Sequence, residues 1–309
     1  MISFPRYAWK DGEIIDWKDC TLHVRSQGCF FGTNVFEGLR GYWNPRTEEI
    51  YVFRVAEHMT RLGLSMKVMR LKVSHSFPDI VAGMTKLLRA NQFREHVQIN
   101  IVAYFGLNPT PDPLYPSETT GVHVTAIPFP RSASVETGIH AAISSWRRIS
   151  DDVMPPRVKV GSNYQNSRLA QSEVRLNGYD MAILLNPQGT VAEGPGACVF
   201  AVRDGELHTP DLASGILESI TRATLIELAR KELGLTVVER DVNRTELYAA
   251  DEVFACGSIA EITPIVSVDR LQVGNGSVGP VTRQLQQLYF KAVLGELPGY
   301  EHWVTPALR

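Results

Sequence analysis

Pro128-Phe-Pro-Arg-Ser-Ala-Ser-Val-Glu-Thr137 is the stretch on which the organisation of the chain turns. Prolines and small polar residues here replace the apolar periodicity found on either side, which is the composition of a connection between two folded parts. The sequence therefore reads as a small N-terminal α/β domain over residues 1–128, a linker over 129–137 and a larger C-terminal domain over 138–309. Upstream, Val97 to Phe105 and Val122 to Ile127 are β-rich and frame a loop, Leu107 to Thr119, that holds Pro109, Pro111, Pro113 and Pro116; long loops of this kind often cover active sites. Further upstream, Asp11-Gly12 between apolar-aromatic flanks predicts a hairpin turn. Ile50 to Phe53 predicts a strand, and Met59, Leu62, Met66 and Met69 recur at the spacing of a helix over 56–69, followed by a second helix over 77–90.

Downstream of the linker the pattern predicts a strand over 139–145, a helix over 164–176 and strands near 181–185, 191 and 199–202. An amphipathic helix over 220–233 has Ser219 as its N-cap and Gly234 as its stop. Strands near 237, 252–255 and 262–268 precede a last helix over 281–294. This order makes an α+β protein of two domains and excludes a doubly wound dinucleotide fold.

Composition narrows the partners. The 309 residues are 44% hydrophobic and 21% charged, with a formal net charge of -2, so the chain has a sizeable core and no strong field for nucleic acid or an anionic membrane. Small molecules are the expected partners. Cys20, Cys29, Cys198 and Cys256 stand far apart with no CxxC pair or histidine cluster, which argues against a disulfide framework or a metal site and fits a cytoplasmic protein. The opening residues hold no apolar core of signal-peptide length, and no stretch approaches the roughly 18 apolar residues of a membrane span.

Lys159 lies in Arg157-Val-Lys-Val-Gly161, where alternation puts Val158 and Val160 on one face of a short strand and Lys159 on the other. A lysine on its own is most often a solvated surface group; one that forms an imine needs a partly dry setting that favours the neutral amine. Tyr164 follows five residues later, and Glu193 stands among small residues in Val191-Ala-Glu-Gly-Pro-Gly196, where a planar ring has room to approach the backbone. The amides of Ile220 and Thr221 open a helix and so have the general capacity to bind a phosphate. Taken singly, each also has an ordinary structural reading.

Together they carry a resemblance. Gly32-Thr-Asn-Val-Phe-Glu-Gly-Leu-Arg40, Arg54-Val-Ala-Glu-His-Met-Thr-Arg-Leu62, Lys159-Val-Gly-Ser-Asn-Tyr164, Glu193-Gly-Pro-Gly196, Gly215-Ile-Leu-Glu-Ser-Ile-Thr-Arg222 and Ala250-Asp-Glu-Val-Phe-Ala-Cys-Gly-Ser-Ile-Ala-Glu-Ile-Thr-Pro264 occur in the order seen in branched-chain aminotransferases of class IV. The chain resembles that family over nearly its whole length. The resemblance implies the two-domain fold type IV of the pyridoxal 5'-phosphate enzymes, with a homodimer as the minimum unit. It implies that Lys159 holds the cofactor as an imine and moves the proton, that Tyr164 bonds the phenolate oxygen, and that Glu193 keeps the pyridine nitrogen protonated. Arg61, the Ile220 and Thr221 amides and Ser258 would hold the phosphate. The implied activity is ping-pong transamination between an amino donor and a 2-oxo acid; the related lyase of the aminodeoxychorismate type, which shares fold and cofactor, is the alternative.

The departures from the family pattern concern the substrate. Where branched-chain enzymes carry a Tyr-x-Arg pair on a strand, this chain has Gln98-Ile-Asn100, and a neutral Asn100 supplies no charge-assisted fork for a distal carboxylate. Phe31 stands where a tyrosine is common, and Cys198 where an asparagine is common. Phe31, Phe36 and Phe129 would form an apolar pocket, with Arg40 as a remaining carboxylate contact and Ser258 and Ile259 on the substrate side. The expected substrate is an apolar, branched-chain-like or aromatic amino acid or amine.

Overall fold

Asp11 and Gly12 adopt positive φ, 48° and 100°, and close the expected hairpin between β1 (Tyr7–Lys10) and β2 (Glu13–Asp16). In this computed structural model, which describes residues 4–110, 112 and 114–309, the chain divides into two units. The first comprises Met1–Pro130, Val158–Ser162 and Lys291–Arg309; the second comprises Arg131–Arg157 and Asn163–Phe290. The sequence places a single cut at 129–137, whereas the first unit also draws in two later stretches.

In the first unit, α1 (Gln27–Phe30), β3 (Asn34–Asn44), β4 (Glu49–Phe53), α2 (Val55–Val68), α3 (Phe77–Asn91), β5 (Val97–Phe105) and β6 (Thr120–Pro128) follow the hairpin. Both long helices fall within one residue of their expected ends, and Ser76 with Asp79 forms a reciprocal capping box at the start of α3. The strands make a seven-stranded antiparallel sheet whose far edge is a C-terminal strand, Val304–Pro306, paired with β4. One face of the sheet is dry: Val35, Leu39, Ile99, Ile101, Val122 and Val124 are fully buried, as are Leu62, Ile80, Met84 and Leu87 on α2 and α3. Period-two alternation leaves Phe36, Gly38, Gln98, Asn100 and Val102 on the opposite, partly open face. The described residues of the Leu107–Thr119 loop form neither helix nor strand; Pro111 and Pro113 of that expectation lie outside the described residues, as do residues 1–3 of the opening segment.

The second unit continues with α4 (Ser134–Thr137), β7 (Ile139–Arg147), α5 (Tyr164–Leu176), β8 (Met181–Leu185), β9 (Cys198–Arg203), β10 (Glu206–Thr209), α6 (Ile220–Glu232) and β11 (Val237–Glu239). After these come α7 (Arg244–Tyr248), β12 (Glu252–Gly257), β13 (Glu261–Val268), β14 (Leu271–Gln272) and α8 (Pro280–Val293), whose residues from Lys291 on count with the first unit, and β15 is the first unit's Val304–Pro306. The sheet runs β11-β10-β9-β12-β13-β7-β8, with β14 on β13, and mixes antiparallel pairs with the parallel pairs β10/β11, β13/β7 and β7/β8. Ile183, Val199, Val253, Ala255 and Ile265 lead its core. Ser219 accepts from the Arg222 amide as the expected N-cap of α6. The amides of Val281 and Thr282 that open α8 both donate to the buried Glu252 carboxylate, at 2.9 and 2.8 Å.

Two readings change. The short strand around Lys159 is only an isolated bridge between Val160 and Val35; the alternation holds, with Val158 and Val160 buried and Lys159 partly exposed, but the segment is too short to form a ladder. Val191 likewise forms a single bridge, to Leu185. The sequence reading also lacks four strands: the 11-residue Asn34–Asn44, which it treats only as a motif, and the short Glu206–Thr209, Leu271–Gln272 and Val304–Pro306.

Gly83 shows how closely the first unit is packed. A Cβ built there would come within 2.4 Å of the buried Trp9 ring. In an open helix Gly→Ala stabilises by about 1 kcal/mol, but here overpacking dominates and Gly83→Ala should destabilise by about 1–3 kcal/mol. Urea unfolding checks the sign: a midpoint that rises would contradict this packing.

Candidate active site

Alternation along β3 splits its residues between two tasks. Glu37 points to the dry face, fully buried against α2. Arg61 on α2 donates from Nε to one Glu37 oxygen at 2.8 Å and from Nη2 to the other at 2.6 Å, and His58, one turn earlier, lies with Nδ1 2.7 Å from Oε2. Burial alone would raise the Glu37 carboxyl, but the Arg61 fork and His58 outweigh it and hold it at about 2. Burial pushes the His58 imidazole down, helped by the charges of Arg61 and Lys159 and opposed by Glu37. A neutral ring donating from Nδ1 fits this geometry.

On the other side of β3, Phe36 donates its amide to the Lys159 carbonyl at 3.0 Å. The Lys159 amide donates to Ser65 Oγ at 3.1 Å, so the lysine backbone is fastened on both sides. Its amine lies 4.5 Å from the centre of the Phe36 ring. Ser65 stands one helical turn after Arg61, so α2 fastens both. Along the same open face Gly38 pairs with Asn100 and Arg40 with Gln98, which gives the face an amide and no charge at position 100. Arg40 is buried; its Nη2 donates to the Phe129 carbonyl at 2.9 Å and its guanidinium lies 5.0 Å from the Phe129 ring and 5.3 Å from that of Tyr42. Phe31 is 40% exposed and meets Phe30 edge-on at the end of α1.

In the second unit Glu193 is buried between β8 and β9. Arg148 Nη2 lies 2.7 Å from Oε1, and the Leu217 amide donates to Oε2 at 3.1 Å. Cys198 Sγ stands 4.0 Å from Oε2. Tyr164 is half-buried as the first residue of α5. Ile220 and Thr221 are buried in the first turn of α6, where amides have no acceptor within the helix. Ser258 and the exposed Ile259 occupy the turn between β12 and β13.

Of the residues expected from sequence, the first unit therefore holds Arg61, Lys159, Phe31, Phe36, Arg40, Gln98, Asn100 and Phe129, and the second holds Tyr164, Glu193, Ile220, Thr221, Ser258 and Ile259. The structure adds Glu37, His58, Ser65 and Arg148. Glu37, His58 and Arg61 lie in motifs already quoted, yet the contact between them crosses from a strand to a helix. Arg148 sits outside every motif and carries no local signal. Among the described residues no group of histidine, cysteine or acidic side chains is arranged to hold a metal, and no helix is long and apolar enough to cross a membrane.

The amino-transferase class IV family model matches residues 34–268. A probable branched-chain-amino-acid aminotransferase of Aquifex aeolicus is 40% identical over 97% of this chain and 96% of its own length. The solved branched-chain amino acid aminotransferase of Thermobaculum terrenum, in its PLP form, superposes with a TM-score of 0.92 at 45% identity, covering 98% of this chain and 99% of that one. The branched-chain aminotransferase of the archaeon Thermoproteus uzoniensis, solved with norvaline, superposes with a TM-score of 0.92 at 40% identity over 98% and 99%. On a family match of this extent, and on relatives this similar from end to end, the chain belongs to the class IV aminotransferases.

Proposed function

We propose that this protein binds pyridoxal 5'-phosphate and moves an amino group between an apolar amino acid or amine, branched-chain-like or aromatic, and a 2-oxo acid by a ping-pong cycle. The observation that carries the reading is Lys159, whose backbone is fastened by Phe36 and Ser65 and whose amine is held over an aromatic ring. The donor set fits a phosphorylated pyridine: a primary amine, a buried carboxylate, first-turn amides on α6, and a small-residue lining where a Cβ at Gly257 would come within 2.9 Å of the Gly196 carbonyl oxygen. When bound, the cofactor supplies an electron sink for the charge that develops at the substrate Cα.

The chain's own residues do the rest. Lys159 would move the proton between the substrate Cα and the cofactor C4′. Tyr164 donates to the cofactor's phenolate oxygen and Glu193 accepts from its ring nitrogen. The phosphate falls to Arg61, the amides of Ile220 and Thr221, and Ser258. We place the protein in the reducing cytoplasm as a homodimer or larger homo-oligomer; four free cysteines among the described residues agree with that compartment.

Borohydride reduction of the holoenzyme followed by peptide mass mapping should find the cofactor on Lys159. Label on any other lysine rejects the assignment.

The open face of the sheet bears on the choice of donor. Phe36, Gly38 and Asn100 offer no charge, and Arg40 is buried with its fork turned to Phe129. A distal carboxylate left uncompensated in such a wall costs several kcal/mol. Glutamate should therefore show a kcat/KM lower than leucine or an aromatic amine by on the order of a hundredfold, and Asn100→Arg should recover about tenfold of it. Steady-state comparison of the donors decides; wild-type protein that uses glutamate as well as leucine contradicts the reading.

A further inference from the structure

With Glu193 assigned to the cofactor's ring nitrogen, a reading on which the role of its neighbour rests, the surroundings of that carboxylate become informative. Glu193 is enclosed by protein, and Arg148, itself only 7% exposed, brings a full positive charge to within 2.7 Å of its Oε1. Arg148 follows the last residue of β7, where the register against β8 shifts, and its amide donates to the Leu185 carbonyl at 2.8 Å. The arginine is thus held from its backbone outward. Its Nε and Nη1 are buried without a hydrogen-bond partner among the described residues.

A guanidinium with two enclosed, unsatisfied donors is a poor choice for stability alone, because an apolar side chain of similar size at the same place would strand no donor. What an apolar residue does not supply is a fixed charge against one oxygen of Glu193. With Oε1 paired to Arg148 and Oε2 receiving the Leu217 amide, both oxygens are held as acceptors, the state of an ionised carboxylate. Without the guanidinium, burial favours the neutral acid, which presents an O–H where an acceptor is required.

We propose that Arg148 is a positioning residue for the reaction: it keeps Glu193 ionised and oriented before any ligand arrives, so that the carboxylate is ready to accept the N–H of a protonated pyridine ring. It touches neither substrate nor cofactor and acts through Glu193. Among the described residues the guanidinium meets only the acid, so the consequence of its loss is confined to ligands with a ring nitrogen.

Binding of pyridoxal 5'-phosphate and of its 1-deaza analogue, in which C–H replaces the ring nitrogen, separates this role from a structural one. Equilibrium dialysis on the full chain, stripped and reloaded, should show wild type preferring the natural cofactor by on the order of tenfold or more. Arg148→Met should lose most of that preference while its affinity for the deaza analogue stays within about threefold of wild type. Arg148→Lys, which keeps a charge but not the rigid planar guanidinium that carries Nη2 to Oε1, should fall between them. Equal losses for both ligands, or a full preference retained in Arg148→Met, overturn the proposal. If Arg148→Met does not fold, Arg148→Lys decides, and an unchanged preference there overturns it. Should Glu193→Ala keep the preference, the assignment of Glu193 to the ring nitrogen fails first and the role of Arg148 goes with it.

Discussion

A carboxylate with no access to water, Glu37, has to be paired, and the way it is paired sets the rest of the first unit. Arg61 and His58 supply the pairing from successive turns of α2, so the helix docks on β3 at one register. Removing one partner of such a buried set typically costs about 3–5 kcal/mol, more than local propensity along either element can offset. Ser65 is one turn further on and accepts the Lys159 amide. The position of the lysine is therefore a consequence of how a strand glutamate is neutralised on the other face of the sheet.

The same constraint recurs wherever the fold brings distant segments together. Glu193 is met by Arg148 and the Leu217 amide. Glu252 takes the first two amides of α8 and the Thr282 hydroxyl, a carboxylate at the positive end of a helix. Glu49, fully buried, accepts from the amides of Ala307 and Leu308 and so ties down the C-terminal strand. In each case the buried acid is bonded by a segment remote in sequence. These contacts specify which loop meets which element, while the apolar cores supply most of the driving force.

What was legible in the sequence was what local chemistry decides. The Asp11-Gly12 turn, the helices Val55–Val68, Phe77–Asn91 and Tyr164–Leu176 and the Ser219 cap follow from periodicity, capping and turn residues. Lys159, Tyr164 and Glu193 stand out as candidates in the sequence because they sit inside short motifs. Arg148 does not, since a basic residue after a strand is usually solvated and only the fold brings it to Glu193. The Lys159 segment reads as a strand from its alternation, but with one bridge to Val35 it borrows its extended shape from β3. The strands Glu206–Thr209 and Val304–Pro306 escape for a related reason, being too short to carry a period of their own, whereas Asn34–Asn44 escapes because Gly38, Arg40 and Gly41 break its apolar alternation.

The open face of β3 and β5 sets the Lys159 amine and the Phe36 ring beside Gly38 and the neutral amides of Gln98 and Asn100. On the proposed function, an apolar amino acid alone should complete half of the cycle. Mixing the holoenzyme with L-leucine in the absence of any oxo acid, and following the cofactor's visible absorption and the released acid by chromatography, tests this most directly. The account predicts loss of the visible band with one equivalent of 4-methyl-2-oxopentanoate per site, and return of the band when a 2-oxo acid is added. A band that persists with no oxo acid formed, for leucine and for other apolar donors alike, would contradict it.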